Sequence, residues 1–170
     1  MIEESFNKVS MKRIAIFGST GSVGVQSLSV INQNNDQFKI VCLSCNGNAD
    51  LLFEQTKHFM PEKIAINVLD INHPLRSFCK KNNIELITGD NSSNLLSEYK
   101  NVDLVINSIV GTDGLVPTLN TVNNNIDLAL SNKESLVLGG HLIMPKVKEN
   151  TANLIPVDSE HSAIFQCLYG

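Results

Sequence analysis

Two short stretches of this 170-residue chain combine residue types and spacings that could support chemistry. Residues 18–24 (GSTGSVG) place three glycines three residues apart, directly after the apolar run of residues 14–17. Glycine tolerates positive φ and has no Cβ, so a pyrophosphate can approach the backbone, and the start of a following helix attracts its charge. The stretch predicts a dinucleotide-binding turn, with a purely structural tight turn as the alternative.

The second stretch is Asp158-Ser159-Glu160, which follows a predicted buried strand. On an extended segment the two carboxylates share a face, and oxygen ligands suit a hard cation such as Mg²⁺ or Mn²⁺. The same residues could instead cap a helix and supply its acidic first turn. The spacing alone leaves both interpretations open.

Two further strand ends carry polar residues that bear on ligand choice. NAD sites usually place Asp or Glu after the second strand, where it would repel a 2′-phosphate. Here Asn46-Gly47-Asn48 stands in that place with no acid before Asp50, which favours NADP, although no Lys or Arg is adjacent. Lys133, which follows Asn132, could bind a substrate phosphate or carbonyl oxygen, although a lone lysine is more often a solvated charge.

These clusters form one site only if the elements that carry them end on the same rim. Apolar runs predict strands at residues 14–17, 38–45, 63–67, 85–88, 102–109, 126–130 and 154–157. The intervening segments predict helices, at residues 49–59, 73–82, 94–100, 115–122 and 134–150 after a first helix behind the glycine turn. The alternation predicts an α/β, Rossmann-like doubly wound fold, with a mostly parallel sheet and helices on both faces. In such sheets ligands bind beyond the carboxyl ends of the strands.

Composition narrows the function classes. A net charge of −4 and an aromatic content of 5% argue against phosphate-neutralising or base-stacking nucleic-acid binders. No apolar run approaches the roughly 20 residues that span a bilayer, which argues against a membrane protein. The four cysteines suggest no disulfide framework and favour the cytoplasm. Cys42 and Cys45 have CxxC spacing, but on a strand they point to opposite faces, which disfavours a metal or redox site.

Residues 18–24, 131–135 (SNKES) and 156–166 (PVDSEHSAIFQ) together resemble the 1-deoxy-D-xylulose 5-phosphate reductoisomerase family, from about Met11 to the last residue. The resemblance implies NADPH- and metal-dependent rearrangement and reduction of 1-deoxy-D-xylulose 5-phosphate to 2-C-methyl-D-erythritol 4-phosphate, on the non-mevalonate route to isoprenoids. It also implies a homodimer when the protein is full length.

The resemblance further implies roles for individual residues. The residues expected to bind NADPH are Thr20, Gly21, Ser22 and Val23 at the pyrophosphate, Gly47 and Asn48 near the adenosine ribose, and Asn132 and Glu134 towards the nicotinamide. The residues expected to contact the sugar phosphate are Lys133, Ser159 and Glu160, of which Lys133 and Glu160 would be catalytic. Asp158 and Glu160 would ligate Mg²⁺ or Mn²⁺.

Two departures from the family pattern shape the expectation, and one is the acid Asp113 in the loop of residues 111–114, where small residues are usual. Family members commonly carry Gly-Lys-Asn or Gly-Arg-Asn where this chain has Asn46-Gly47-Asn48, so the basic residue that would pair the 2′-phosphate is missing. We expect a tail at residues 1–10, an NADPH-binding domain at residues 11–157 and the start of a truncated catalytic domain at residues 158–170. Such a chain should bind NADPH without turning substrate over. The alternatives are the NADP domain of a semialdehyde-type reductase and a non-catalytic nucleotide-binding module.

Overall fold

Seven strands form one sheet in the computed structural model, which describes residues 10–158 together with residues 163, 164, 166 and 167. The strands are β1 (Lys12–Phe17), β2 (Phe38–Cys45), β3 (Lys63–Ile66), β4 (Glu85–Thr88), β5 (Leu104–Asn107), β6 (Asp127–Leu130) and β7 (Leu154–Pro156). All neighbouring pairs are parallel, in the order β4-β3-β2-β1-β5-β6-β7. The predicted tail lies outside the described residues, except for Ser10.

Six helices connect the strands and cover both faces of the sheet. They are α1 (Ser22–Gln33), α2 (Ala49–Phe59), α3 (Pro74–Lys81), α4 (Ser92–Leu96), α5 (Leu115–Asn123) and α6 (Lys133–Glu149). Ile14 and Ile16 pack with residues of α1, α2 and α3 on one face, whereas Ala15 and Phe17 pack with residues of α4, α5 and α6 on the other. A parallel strand covered on both faces is apolar throughout, which is why these strands read as continuous apolar runs. The predicted doubly wound α/β fold is confirmed.

The two cysteines of the CxxC pattern occupy different cores. Cys45 belongs to the layer beneath α1–α3, and Cys42 belongs to the layer beneath α4–α6. Burial raises the pKa of Cys42 to about 12 and that of Cys45 to about 11, so both thiols are protonated at neutral pH. The two side chains therefore act as small apolar core residues.

The largest difference from the predicted elements is in α6. The sequence predicts a helix that is broken or bent at Gly139-Gly140 and at Pro145, and α6 is not broken there but runs as one helix of 17 residues. Gly139 is buried, and an added Cβ there would overlap with Leu115 Cδ1, so this glycine permits α5 and α6 to pack closely. Even this longest described helix is too short and polar to cross a membrane, and so are the other described helices.

The order of the strands determines where a ligand can bind. The chain runs outward from β1 through β2 and β3 to β4, then crosses back and continues on the other side of β1 with β5. At such a switch point the loops after two adjacent strands diverge and leave a crevice beyond their carboxyl ends. The glycine stretch follows β1 and Ser108 follows β5, so both lie at this crevice. The sequence pattern identifies the glycine stretch as a ligand-binding segment but does not identify Ser108.

The amino ends of the strands, opposite the ligand-binding rim, carry a charge cluster centred on Glu62. The Glu62 carboxylate accepts from Arg13 Nη2 at 2.6 Å, from Tyr99 Oη at 2.7 Å and from Lys39 Nζ at 3.0 Å. The hydrogen bond from Arg13 is the main reason that the pKa of Glu62 falls from its ordinary value of 4.5 to about 2. Because this pKa is depressed in the folded chain, the stabilisation is present above about pH 4.5 and is lost as the pH falls towards 2.

We therefore expect Glu62→Gln to lower the free energy of unfolding by about 1–2 kcal/mol at neutral pH, after allowance for solvent screening. The difference from the unmodified chain should shrink below pH 4.5 and vanish near pH 2. Urea unfolding across this pH range measures it. Glu54→Gln, which removes an exposed pair with Lys57 within α2, is the matched control and should show little pH-dependent difference. An equal loss for Glu62→Gln at every pH would contradict the assignment.

Candidate functional site

The glycine turn after β1 has a backbone that only glycine can form. Gly18 has φ of +80°, and a Cβ there would lie 2.8 Å from the Ser108 carbonyl oxygen. Gly24, in the first turn of α1, packs directly on the backbone of Gly18 and Ser19. The first and third glycines of the GxxGxxG pattern are thus required for the tight turn and for helix packing.

Neighbouring elements hold this turn in place from three sides. Ser19 Oγ donates to Gln55 Oε1 at 2.7 Å, and Gln55 Nε2 donates back to the Ser19 carbonyl at 2.8 Å, which ties the turn to α2. The Ser44 carbonyl in β2 accepts from the N–H groups of Gly18 and Ser19 at 3.0 and 2.8 Å. Ser108 Oγ donates to the Phe17 carbonyl at 2.8 Å, from the β5 side. A pre-organised loop of this kind binds a ligand without further ordering.

The turn leaves backbone donors available. Gly21 N–H bonds to Gly18 O, and Val25 N–H begins the ladder of α1 by bonding to Gly21 O. Within the described part of the chain, no hydrogen bond engages the N–H groups of Thr20, Ser22 or Val23. Free N–H groups at the start of a 12-residue helix, together with the positive end of its dipole, suit an anion such as a phosphate.

Two cavities meet at this turn. The larger has a volume of about 600 Å³ and lies beyond the ends of β1, β2, β3 and β5. The smaller, of about 190 Å³, lies towards β6 and β7. The residues that line both cavities are Gly21, Ser108, Ile109 and Val110. A ligand with two bulky ends and an anionic centre matches this arrangement, because its centre would lie against the free N–H groups.

Asn132 holds together two loops of the smaller cavity and is itself only 2% exposed. Its amide nitrogen donates to the Ile109 carbonyl and, at 2.7 Å, to the Gly111 carbonyl. Its Oδ1 caps α6 by accepting from Ser135 N at 2.6 Å and Ser135 Oγ at 2.5 Å. All four hydrogen-bonding positions of the side chain are used, so Asn132 shapes the cavity rather than offering its amide to a ligand.

The other predicted residues at this rim differ in exposure. Lys133 is exposed at the start of α6, Glu134 and Asp158 are half-buried, and all three line the smaller cavity. The predicted residues Ser159 and Glu160 lie outside the described residues. Within the described residues, no group of three or more His, Cys, Asp or Glu side chains is placed to hold a metal ion.

The predicted ribose-side residues lie at the other end of the site. Asn48 caps α2, since its Oδ1 accepts from Leu51 N at 3.2 Å. Gly47 is exposed, and a Cβ added to it would meet only Val68 Cβ, at 3.8 Å. Asn46, directly before Gly47, lines the larger cavity.

Several polar residues at this rim are not identified by the sequence pattern. They are Ser44, Asn67, Asp90, Asn107 and Ser108. Asn107 is fully buried and donates to Gly114 O and Thr118 Oγ1, both at 2.9 Å, which anchors the loop after β5. The strand predicted at residues 102–109 is longer than β5, so the prediction places the start of this loop inside a strand. The polar pair Asn107-Ser108, at the end of the apolar run, is the sequence signal that marks where β5 ends.

Comparison with known proteins shows one family model that matches most of the chain and relatives that are similar to it in sequence. A family model described as 1-deoxy-D-xylulose 5-phosphate reductoisomerase matches residues 14–140. The 1-deoxy-D-xylulose 5-phosphate reductoisomerase of Clostridium novyi (strain NT) is 44% identical over 162 residues, which cover 94% of this chain and 42% of the relative. The chain therefore spans less than half the length of such relatives.

Two solved structures share this architecture. A DOX-P reductoisomerase crystal structure in complex with NADPH, fosmidomycin and magnesium has a TM-score of 0.84 and 33% identity, and covers 92% of this chain and 39% of that chain. A 1-deoxy-D-xylulose 5-phosphate reductoisomerase from Zymomonas mobilis in complex with NADPH has a TM-score of 0.85 and 31% identity, covering 93% of this chain and 41% of that chain.

Proposed function

Because the chain belongs to the 1-deoxy-D-xylulose 5-phosphate reductoisomerase family, we propose that it binds NADPH as the cofactor-binding part of such an enzyme. The whole enzyme would rearrange and reduce 1-deoxy-D-xylulose 5-phosphate to 2-C-methyl-D-erythritol 4-phosphate. The solved relatives described above contain NADPH and, in one case, magnesium. Family membership disfavours the semialdehyde-type reductase and the non-catalytic module as alternatives.

One observation carries the NADPH proposal: the free N–H groups of Thr20, Ser22 and Val23 lie where the two cavities meet. A pyrophosphate placed there would accept these hydrogen bonds and interact with the positive end of α1. Gly21 has no Cβ to block the approach. The adenosine half would occupy the larger cavity and the nicotinamide half the smaller one.

The chain's own residues would then orient the cofactor towards the substrate. NADPH, once bound, supplies the hydride, and the protein contributes position and electrostatics. Asn132 holds the loop at Ile109 and Gly111 against α6, which keeps the smaller cavity open for the nicotinamide. Lys133 would place a positive charge at the mouth of this cavity, suited to an oxygen atom of the sugar phosphate.

Of the two predicted metal ligands, only Asp158 lies among the described residues. Asp158 lies at the smaller cavity and offers a carboxylate oxygen of the type that Mg²⁺ and Mn²⁺ take. One described carboxylate does not hold a hard cation by itself. Asp158 and Glu160 as ligands, Ser159 and Glu160 as substrate contacts, and the catalytic role of Glu160 stay predictions.

The remaining assignments follow from the same proposal. Residues 11–157 would form the NADPH-binding domain, and residues 158–170 would begin the catalytic part. A homodimer of the full-length protein stays a prediction. The cytoplasm is the proposed compartment, supported by the free cysteines Cys42, Cys45 and Cys79, which are buried thiols rather than disulfides.

Titration calorimetry of the 170-residue chain tests the proposal. We expect NADPH to bind at one site, and 2′,5′-ADP and nicotinamide mononucleotide each to bind more weakly and to compete with it, because each fills one cavity. Deoxyxylulose phosphate turnover, followed by NADPH absorbance, should be absent in this chain. If a folded chain bound neither NADPH nor 2′,5′-ADP, the proposed function would be wrong.

A further inference from the structure

Asn46 and Gly47 form the one Asn-Gly pair in the chain, and both residues are exposed in the loop after β2. An asparagine side-chain amide that precedes a glycine can react with the backbone nitrogen of that glycine, because no Cβ shields this atom. The reaction needs an accessible amide carbon and a backbone N–H that no other group holds. The structure meets both conditions at this pair.

The backbone nitrogen of Gly47 is open to attack the preceding side chain. Within the described part of the chain, no hydrogen bond engages the Gly47 N–H. The loop is held through its carbonyls instead, since Asn46 O accepts from Val68 N and Gly47 O accepts from Ala49 N, both at 2.9 Å. A Cβ built on Gly47 would meet only Val68 Cβ, at 3.8 Å, so the space around residue 47 is open.

The Asn46 amide is oriented and polarised by its neighbours. Asn67 Nδ2 donates to Asn46 Oδ1 at 3.1 Å, and Ser92 Oγ donates to Asn67 Oδ1 at 2.6 Å, which fixes the orientation of the Asn67 amide. A donor on a carbonyl oxygen stabilises the negative charge that develops there when a nucleophile attacks the carbon. The Asn46 nitrogen makes no hydrogen bond to another described residue, so it can leave into solvent.

The two Asn-Ser pairs, at residues 91–92 and 107–108, are the nearest chemical equivalents, because serine is also small. In both pairs the serine N–H is held. The carbonyl of Gly89 accepts from the first and the carbonyl of Phe17 from the second, each at 2.9 Å. Asn107 is also fully buried. The folded chain therefore protects these two pairs and leaves the pair at residues 46–47 reactive.

We propose that Asn46-Gly47 is a site of spontaneous covalent modification, at which the Asn46 amide becomes a carboxylate. The Gly47 nitrogen attacks Asn46 Cγ, so that a new N–Cγ bond forms and the Cγ–Nδ2 bond breaks. Nδ2 leaves as ammonia and takes up the proton of the Gly47 N–H. The resulting five-membered succinimide then adds one water molecule. Opening at Cγ gives aspartate, and opening at the backbone carbonyl gives isoaspartate, without any oxidation or reduction.

The product alters the rim on which it forms. Asn46 lines the larger cavity together with Asp90, so the new carboxylate adds negative charge beside an existing one. The formal net charge becomes one unit more negative than −4. Isoaspartate also lengthens the main chain by one carbon directly before the cap of α2 at Asn48. The modification thus changes both the charge and the backbone of this loop.

Peptide mapping by mass spectrometry tests the proposal, after incubation of the folded 170-residue chain at neutral and at mildly alkaline pH. Trypsin releases residues 40–57, which contain both Asn46 and Asn48. We expect conversion of amide to acid at Asn46, faster at the higher pH because the attacking nitrogen must lose its proton. Asn48 is the internal control and should stay an amide, since the N–H after it is held. Gly47→Ala, which the fold accommodates, should slow the conversion by about tenfold or more.

Three results would contradict the proposal. Retention of the Asn46 amide in the folded chain, under conditions that convert it in the urea-unfolded chain, would overturn it. An equal rate in Gly47→Ala would overturn attack by the nitrogen of residue 47. Asn67→Ala should slow the conversion by about threefold, and a faster conversion would overturn the polarising role of Asn67. None of these measurements uses a dinucleotide, so their outcome is independent of the proposed function.

Discussion

Gly24→Ala should destabilise the chain by about 3 kcal/mol and abolish NADPH binding. A Cβ at residue 24 would overlap with the Gly18 carbonyl oxygen and lie 2.6 and 2.8 Å from Ser19 Cα and C, all of which are backbone atoms. Alanine is otherwise the better helix former by roughly 1 kcal/mol, so any loss comes from this overlap. Because α1 must move away from β1, the free N–H groups of the turn would lose their arrangement. Urea unfolding and NADPH titration measure the two effects.

Gly21→Ala is the companion variant, which separates binding from folding. Gly21 has φ of −77° and ψ of 171°, an extended conformation that any residue adopts, and an added Cβ would lie 3.4 Å from Gly18 O. We expect the free energy of unfolding to change by less than about 0.5 kcal/mol. NADPH affinity should fall by about tenfold or more, because the methyl group would lie where the pyrophosphate approaches. Equal effects of the two variants on stability would refute this division of roles.

Asn132→Ala should cost about 3 kcal/mol of stability and weaken NADPH binding by roughly tenfold. The variant removes the cap of α6 and leaves the carbonyls of Ile109 and Gly111 without their donor. Since the residues at 109 and 110 line both cavities, their loosening should reduce affinity without removing a direct contact. Hydrogen exchange of residues 109–114 should rise together with the loss of stability.

Asn48→Ala provides the matched control for stability. Asn48 caps α2 with one hydrogen bond to Leu51 N and holds no second loop, so its loss should cost only about 1 kcal/mol. The excess cost of Asn132→Ala over Asn48→Ala measures the contribution of the bonds to the loop. If the two variants cost the same, Asn132 would be only a helix cap.

Some helices and strands are predictable from sequence because their apolar residues follow a clear local pattern. The predicted elements at residues 38–45 and 49–59 coincide with β2 and α2, because a buried parallel strand and a capped amphipathic helix leave strong local signals. The continuity of α6 is not predictable in this way. Gly139 breaks helical preference locally, but contact with Leu115 stabilises the helix there, and Leu115 lies far away in sequence.

The sequence of the glycine stretch predicts its function as a turn, but it does not predict what each glycine contributes to that turn. Its spacing and its position between a strand and a helix are sufficient to predict a phosphate-binding turn. The roles of the three glycines differ, however, and this difference depends on Ser108 and Ser19, which contact Gly18 and Gly24 respectively. Asn132 shows the same limit, because its predicted cofactor contact stays a prediction, whereas only the folded chain shows that its side-chain hydrogen bonds join two loops.

The amino-acid sequence by itself determined the fold class, the family resemblance and the chemistry of the turn at residues 18–24, because these depend on local patterns of apolar residues and glycines. Only the tertiary structure decided that two cavities meet at this turn, and that the ribose end after β2 is lined by neutral side chains and carboxylates. Asn46, Asn67 and Asp90 are brought to one rim by the parallel strand order. Charge balance at a site is a property of side chains distant in sequence, so residue spacing alone does not determine it.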